Sequence, residues 1–144
     1  VETACNNFAI HPADAEKWAE HMAEYNKPGG NHPLIVADDG EGVCGYASLS
    51  AFRSKGGYAP AVELSIYISP DHRGQGIGGK LMAAILDEAR ANQDTHAVIS
   101  VITEGNQASV ALHEKFGFEH CGSMKEIAFK HGAYRDMSFY ELLV

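Results

Sequence analysis

The sequence has no long apolar run, little cysteine and no excess of basic residues, and each shortage removes a class of function. Its longest hydrophobic stretch, Leu81 to Leu86, is far short of the ~20 residues that cross a bilayer as a helix, and no charged-then-apolar signal segment opens the chain. The expectation is a protein with no membrane contact that works in the cytoplasm. Cys5, Cys44 and Cys121 are odd in number and widely spaced, which suits reduced thiols better than a disulfide framework or a zinc site. His11, His21, His32, His72, His96, His120 and His131 show no paired metal spacing and read as surface residues. With 11 Lys and Arg against 19 Asp and Glu, a formal charge of −8, and no basic run with interleaved aromatics, the chain is not composed to bind nucleic acid. Such a balance is compatible with a cationic substrate. It also permits a polyanionic cofactor, provided that backbone amides and a few local cations hold it.

What is present fits one globular domain: 144 residues with 45% hydrophobic content. Asp14 to Tyr25 reads as an amphipathic helix with Ala15, Trp18 and Met22 on one stripe, ended by Pro28-Gly29-Gly30. Leu34–Ala37 and Val43–Ala51 read as two strands joined through Asp38-Asp39-Gly40, and Gly56 to Pro60 as a loop. Val62 to Ser69 alternates cleanly, with Val62, Leu64, Ile66 and Ile68 on one face and Glu63, Ser65, Tyr67 and Ser69 on the other. Pro70 stops that strand, and Leu81, Met82, Ile85, Leu86 and Ala89 then form a helical stripe. His96 to Ile102 predicts a strand buried on both faces. Strand, helix, strand implies a right-handed parallel unit. A helix over about Asn106 to Phe116, a strand near Phe118–Cys121 and a last strand near Met137–Leu142 complete an α/β or α+β chain with a mixed sheet.

Between the alternating strand and its helix lies Arg73-Gly74-Gln75-Gly76-Ile77-Gly78-Gly79-Lys80, which satisfies three phosphate-binding patterns. As Gly-x-Gly-x-x-Gly it lacks the direct strand-to-turn entry and the acid about 20 residues on that a dinucleotide site needs. As Gly-x-x-x-x-Gly-Lys it lacks the hydroxyl for magnesium, because the next residue is Leu81. The third pattern, Arg-x-x-Gly-x-Gly (Arg73, Gly76, Gly78), puts unpaired helix N-terminal amides and their partial positive charge where a pyrophosphate could sit. A purely structural glycine-rich turn is the plain alternative. Downstream, Asn106, Ser109 and His113 share one helix face and lead into Glu114-Lys115-Phe116-Gly117-Phe118.

These two stretches resemble motifs A and B of the GNAT superfamily of acyl-coenzyme A transferases, with His113 where a Tyr is usual. Glu63 on the strand, His113, and Ala128-Phe129-Lys130-His131-Gly132-Ala133-Tyr134-Arg135-Asp136 together look like its phosphinothricin and methionine sulfoximine N-acetyltransferase branch. The resemblance runs from about Glu2 to the C-terminus. It implies a mostly antiparallel central sheet with one parallel strand-helix-strand unit and helices on both faces. It also implies acetyl-CoA as cosubstrate without a metal, held by Ile66, Tyr67, Ile68, Arg73, Gly74, Gln75, Gly76, Ile77, Gly78, Gly79 and Asn106. Glu63 would then be the base that receives the amine's proton, His113 its partner near the thioester, and Arg53 the anchor for the acceptor's acidic group. Lys130 and Tyr134 would shape the same pocket.

The chemistry asks for such residues independently, since an amine attacks a thioester only when neutral and the departing thiolate needs a proton. His113 could supply that proton or serve as a base. As plain alternatives, Glu63 is a surface carboxylate, His113 packs on the sheet and Arg53 is solvated. The implied activity is acetyl transfer to the α-amine of a small amino acid or analogue. The alternatives are a coenzyme A-binding module without acceptor chemistry and an acetyltransferase for a polyamine or a protein amine. The family domain usually begins with a strand and a helix, whereas this chain opens on Val1-Glu2-Thr3-Ala4-Cys5, resembling the stretch just after them. A fragment or truncation would leave an edge strand exposed, so a homodimer or a weakened fold is expected.

Overall fold

A computed structural model of the chain describes residues 22–144. Most of the helix expected over Asp14–Tyr25, together with Cys5, His11 and His21, lies outside them. The elements are β1 (Leu34–Asp38), β2 (Val43–Ala51), β3 (Ala61–Ile68), α1 (Ile77–Ala91), β4 (Ala97–Thr103), α2 (Gln107–Lys115), β5 (Glu119–Lys130) and β6 (Ala133–Leu143). The six strands form one sheet in the order β1-β2-β3-β4-β6-β5. Every neighbouring pair is antiparallel except β3 with β4, the pair joined through α1.

Local chemistry accounts for the main junctions. In the β1–β2 turn the carboxylates substitute for backbone acceptors: Gly40 N–H donates to Asp38 Oδ1 and Glu41 N–H to Asp39 Oδ1, each at 2.8 Å. Helix α1 buries Leu81, Met82, Ile85, Leu86 and Ala89. These pack in one core with Ala47 and Leu49 of β2, Val62 and Leu64 of β3, and Val98 and Ile102 of β4. Each large side chain of that stripe contributes roughly 1.5–3 kcal/mol by leaving water. Helix α2 adds Val110 and Leu112 at the edge of the same core, so both described helices lie over one face of the sheet. Strand β4 is consequently asymmetric. Val98, Ser100 and Ile102 on the helix side are buried, while Ala97, Ile99 and Val101 are only half-buried.

The C-terminal third departs from the sequence reading. Strand β5 does not stop near Cys121 but runs to Lys130, and β6 begins at Ala133. The segment 128–136, left outside the strands expected near Phe118–Cys121 and Met137–Leu142, is therefore the tip of a long hairpin. Its two-residue turn has His131 at φ 50° and Gly132 at φ 75°, and positive φ at both central residues fits the primed turns that match strand twist. Irregular register between Met124 and Ala128, with Glu126 at φ 55°, interrupts the alternation that would have revealed the strand.

Asn106 caps α2: its Oδ1 accepts from the Ser109 N–H at 3.2 Å. Replacing it with alanine is expected to lower stability by about 1 kcal/mol. A urea unfolding midpoint unchanged in Asn106→Ala would show that the cap contributes nothing.

Candidate active site

The parallel pair is short. Ala61, Val62 and Glu63 match Ala97, Val98 and Ile99, yet β3 continues to Ile68 and β4 to Thr103. Each strand keeps its other neighbour along this length: β2 follows β3 to Ile68 and β6 follows β4 to Thr103. The two strands therefore part beyond Glu63 and Ile99. The pairing is thus split along the stretch that leads to residues 69–76 and the start of α1, which leaves a gap in the ladder there. On the gap side of β3, the backbone of 64–68 has no β4 partner in the register, which makes it an internal edge able to accept an extended ligand. Ile66, Tyr67 and Ile68 lie along it, half-buried, with Tyr67 stacked on Tyr46 at 5.9 Å.

Glu63 sits at the apex of this gap. Alternation places it on the face opposite Val62 and Leu64, away from the described helices, where its β2 partner is Ser50. Burial pushes its carboxyl above the ordinary carboxylate range, and the charge of Arg53 partly offsets that rise. The loop after β2 thus brings a guanidinium into electrostatic reach of the carboxylate. Arg53 itself is exposed; it lies 4.3 Å from the Phe52 ring centroid and donates to the Phe52 carbonyl at 3.1 Å. Phe52 meets Tyr58 edge-on at 6.3 Å.

His113 is on the other side of the sheet. It is 5% exposed and packs edge-on against Phe118 at 4.9 Å. Its Nδ1 lies 2.7 Å from the Ser109 carbonyl and its Nε2 2.8 Å from the Ser100 hydroxyl. Burial lowers the imidazole's pKa, while the bond to Ser109 pulls it back upward. Glu63 and His113 are therefore not neighbours; they approach the gap from opposite faces. Ser100, the first β4 residue past the last β3–β4 match, was missed from sequence. Its signal was a lone hydroxyl within Val98-Ile99-Ser100-Val101-Ile102.

At the α1 end of the gap, Gly76 at φ 77° is the N-cap of α1 with no side-chain cap. A Cβ built on Gly76 would meet nothing within 4 Å beyond its chain neighbours, so there is open space beside the N-terminus of α1. Arg73, Gly74 and Gln75 are exposed around them, and Ile77 and Gly79 are half-buried. Gly78 serves differently. It is buried, and a Cβ there would lie 3.1 Å from Ile68 Cδ1 and 3.4 Å from Leu112 Cδ2, so its small size lets α1 close on β3 and α2. Ahead of the loop, His72 Nε2 pairs with Asp39 Oδ2 at 2.8 Å. The Glu41 amide and His72 together hold the Asp39 carboxyl below its usual range, tying the β1–β2 turn to the glycine-rich segment.

Two further expected residues separate. Lys130 is buried, with Nζ 3.4 Å from Thr103 Oγ1. Tyr134 is 67% exposed and meets Phe129 at the hairpin tip. Among the described residues, no group of three or more His, Cys, Asp or Glu side chains could hold a metal ion, and no helix is long and apolar enough to cross a membrane.

A split mixed sheet with an uncapped helix N-terminus at its mouth offers a seat to an extended ligand that ends in an anionic group. The chain belongs to the acetyltransferase (GNAT) family, whose model matches residues 3–118. It is 36% identical over 138 residues to a methionine sulfoximine/methionine sulfone acetyltransferase of Pseudomonas paraeruginosa, covering 95% of this chain and 77% of that one. Its fold matches a Sinorhizobium meliloti phosphinothricin acetyltransferase solved with acetyl-CoA, with a TM-score of 0.81 and 38% identity, over 92% of this chain and 70% of that one. It also matches a ribosomal-protein-alanine N-acetyltransferase of Brucella melitensis, with a TM-score of 0.88 and 35% identity, over 99% of this chain and 86% of that one.

Proposed function

We propose that this chain transfers an acetyl group from acetyl-CoA to the α-amine of a small amino acid or amino-acid analogue of the phosphinothricin or methionine sulfoximine type. The observation that carries the reading is Glu63, a half-buried carboxyl with raised pKa, lying within electrostatic reach of the Arg53 guanidinium in the loop after β2. An α-amino acid bears an ammonium and an acid close together, and a base beside a guanidinium answers both.

The uncapped amides of α1, with Arg73 and Gln75 nearby, would receive the pyrophosphate of the cosubstrate. The internal edge at 66–68 would take its extended arm, and the amide group of Asn106 would reach that arm while its oxygen stays in the cap. Glu63 then removes a proton from the substrate ammonium, directly or through water. The neutral amine attacks the thioester within the gap. A backbone N–H near Ile68 faces the developing oxyanion, and the thiolate leaves toward the side that carries His113.

Thiol release from acetyl-CoA, measured across a panel of amino acids and analogues, tests this. Stimulation by at least one small α-amine is expected. Tight coenzyme A binding with no stimulated release would instead identify a binding module, while acceptance of only peptide N-termini or polyamines would move the reading to those amines. Arg53→Ala is expected to raise KM for the acceptor roughly 10- to 100-fold at nearly constant kcat, since it removes a charge-assisted contact made equally before and during reaction. An unchanged KM would leave Arg53 a solvated residue. The homodimer belongs to the same reading, and light scattering that gives a stable monomer would remove it.

A further inference from the structure

We propose that the Ser100 hydroxyl relays the proton between the reacting thioester and His113. The inference rests on the acetyl-transfer reading above and adds a residue to it. It starts from the hydrogen bonds of the imidazole. A carbonyl oxygen can only accept, so the 2.7 Å contact between His113 Nδ1 and the Ser109 carbonyl requires the proton on Nδ1. In the neutral ring Nε2 is then a bare lone pair, and the 2.8 Å contact with Ser100 has the hydroxyl donating to it. His113 is buried, an environment that favours the neutral ring.

In this resting state His113 cannot donate from Nε2, so it must gain a proton before it can protonate the thiolate. Ser100, buried on the helix side of β4, is the side chain bonded to that nitrogen among the described residues, and it is the first β4 residue past the last β3–β4 match. Attack forms the C–N bond and leaves the nitrogen with one proton too many. That N–H breaks as its proton passes to Ser100 Oγ, while the Ser100 proton passes to Nε2. The imidazolium so formed keeps its Nδ1–H on the Ser109 carbonyl. When the C–S bond breaks, its electron pair goes to sulfur. The proton then returns from Nε2 through Ser100 to form the S–H bond. The N–H of the amine has become the S–H of coenzyme A, and both residues end as they began.

The test compares wild type, Ser100→Ala and Ser100→Thr. The Ala variant is expected to lose roughly 10- to 100-fold in kcat, with KM for acetyl-CoA and acceptor within about twofold of wild type. The Thr variant, which restores a hydroxyl, should recover most of that loss. A proton inventory in mixed light and heavy water should curve for wild type, reporting more than one proton in flight, and become linear in Ser100→Ala. A linear wild-type inventory, an Ala variant as fast as wild type, or a folded Thr variant as slow as the Ala variant would overturn the relay alone. A wild type with no acceptor-stimulated thiol release would overturn the acetyl-transfer reading and the relay with it. Imidazole nitrogen chemical shifts give a check free of turnover: a wild-type His113 protonated on Nε2 instead of Nδ1 would end the proposal.

Discussion

Replacing Glu63 with glutamine is expected to lower kcat/KM for the acceptor by about 10²- to 10⁴-fold, the range for losing a positioned general base. The side chain keeps its size and half-buried place on β3, so the fold and the affinity for coenzyme A should stay close to wild type. The pH dependence gives a second readout. Burial raises the Glu63 carboxyl above its ordinary range, with Arg53 opposing, and the base is competent only when ionised. Activity should therefore rise with pH through a limb displaced upward from an ordinary carboxylate, and that limb should vanish in Glu63→Gln. Removing Arg53 takes away the opposing charge, so Arg53→Ala should move the limb higher still. Unchanged turnover in Glu63→Gln would refute the assignment of the base.

Gly76→Val should separate cofactor binding from folding. At φ 77° a β-branched residue is strained by about 1–3 kcal/mol, and relief means turning the first amides of α1 away from their present direction. Beyond its chain neighbours, no atom of the described residues lies within 4 Å of the added Cβ, so the branched side chain would occupy the open space before the helix. A loss of roughly 10- to 100-fold in coenzyme A affinity is expected, with helix content retained. Calorimetric titration and circular dichroism read the two effects apart. Gly78→Val should show the reverse emphasis, because its Cβ would press on Ile68 and Leu112. Overpacking of that kind costs about 1–3 kcal/mol of stability. Equal coenzyme A affinity in Gly76→Val and wild type would count against the pyrophosphate seat.

Much of the frame was legible because its signals are local. The alternation around Glu63, the stripe from Leu81 to Ala89, and Asn106 ahead of α2 all depend on near neighbours in the chain, and each element lies where its pattern predicts. The β5–β6 hairpin was not legible. Its turn, His131-Gly132, is short, and the irregular register near Glu126 scrambles the period-two pattern, so strand residues 122–130 and 133–136 read as loop. Gly78 shows another limit: it was grouped with Gly76 by spacing, yet it answers to the contact of α1 with β3 and α2.

By itself, the sequence determined the acetyltransferase family, the element order through α2 and the residue types that the chemistry needs, because motif spacing and hydrophobic period are properties of the chain. Only the tertiary structure decided how those residues meet. It split β3 from β4 after Glu63 and Ile99, brought Arg53 within electrostatic reach of Glu63, and buried His113 with Ser100 on the opposite face of the sheet from Glu63. The reason lies in strand pairing. A strand's pattern shows which face each side chain takes, but where two strands cease to pair depends on β2 and β6 holding them apart on their outer edges, and no local stretch of sequence carries that information.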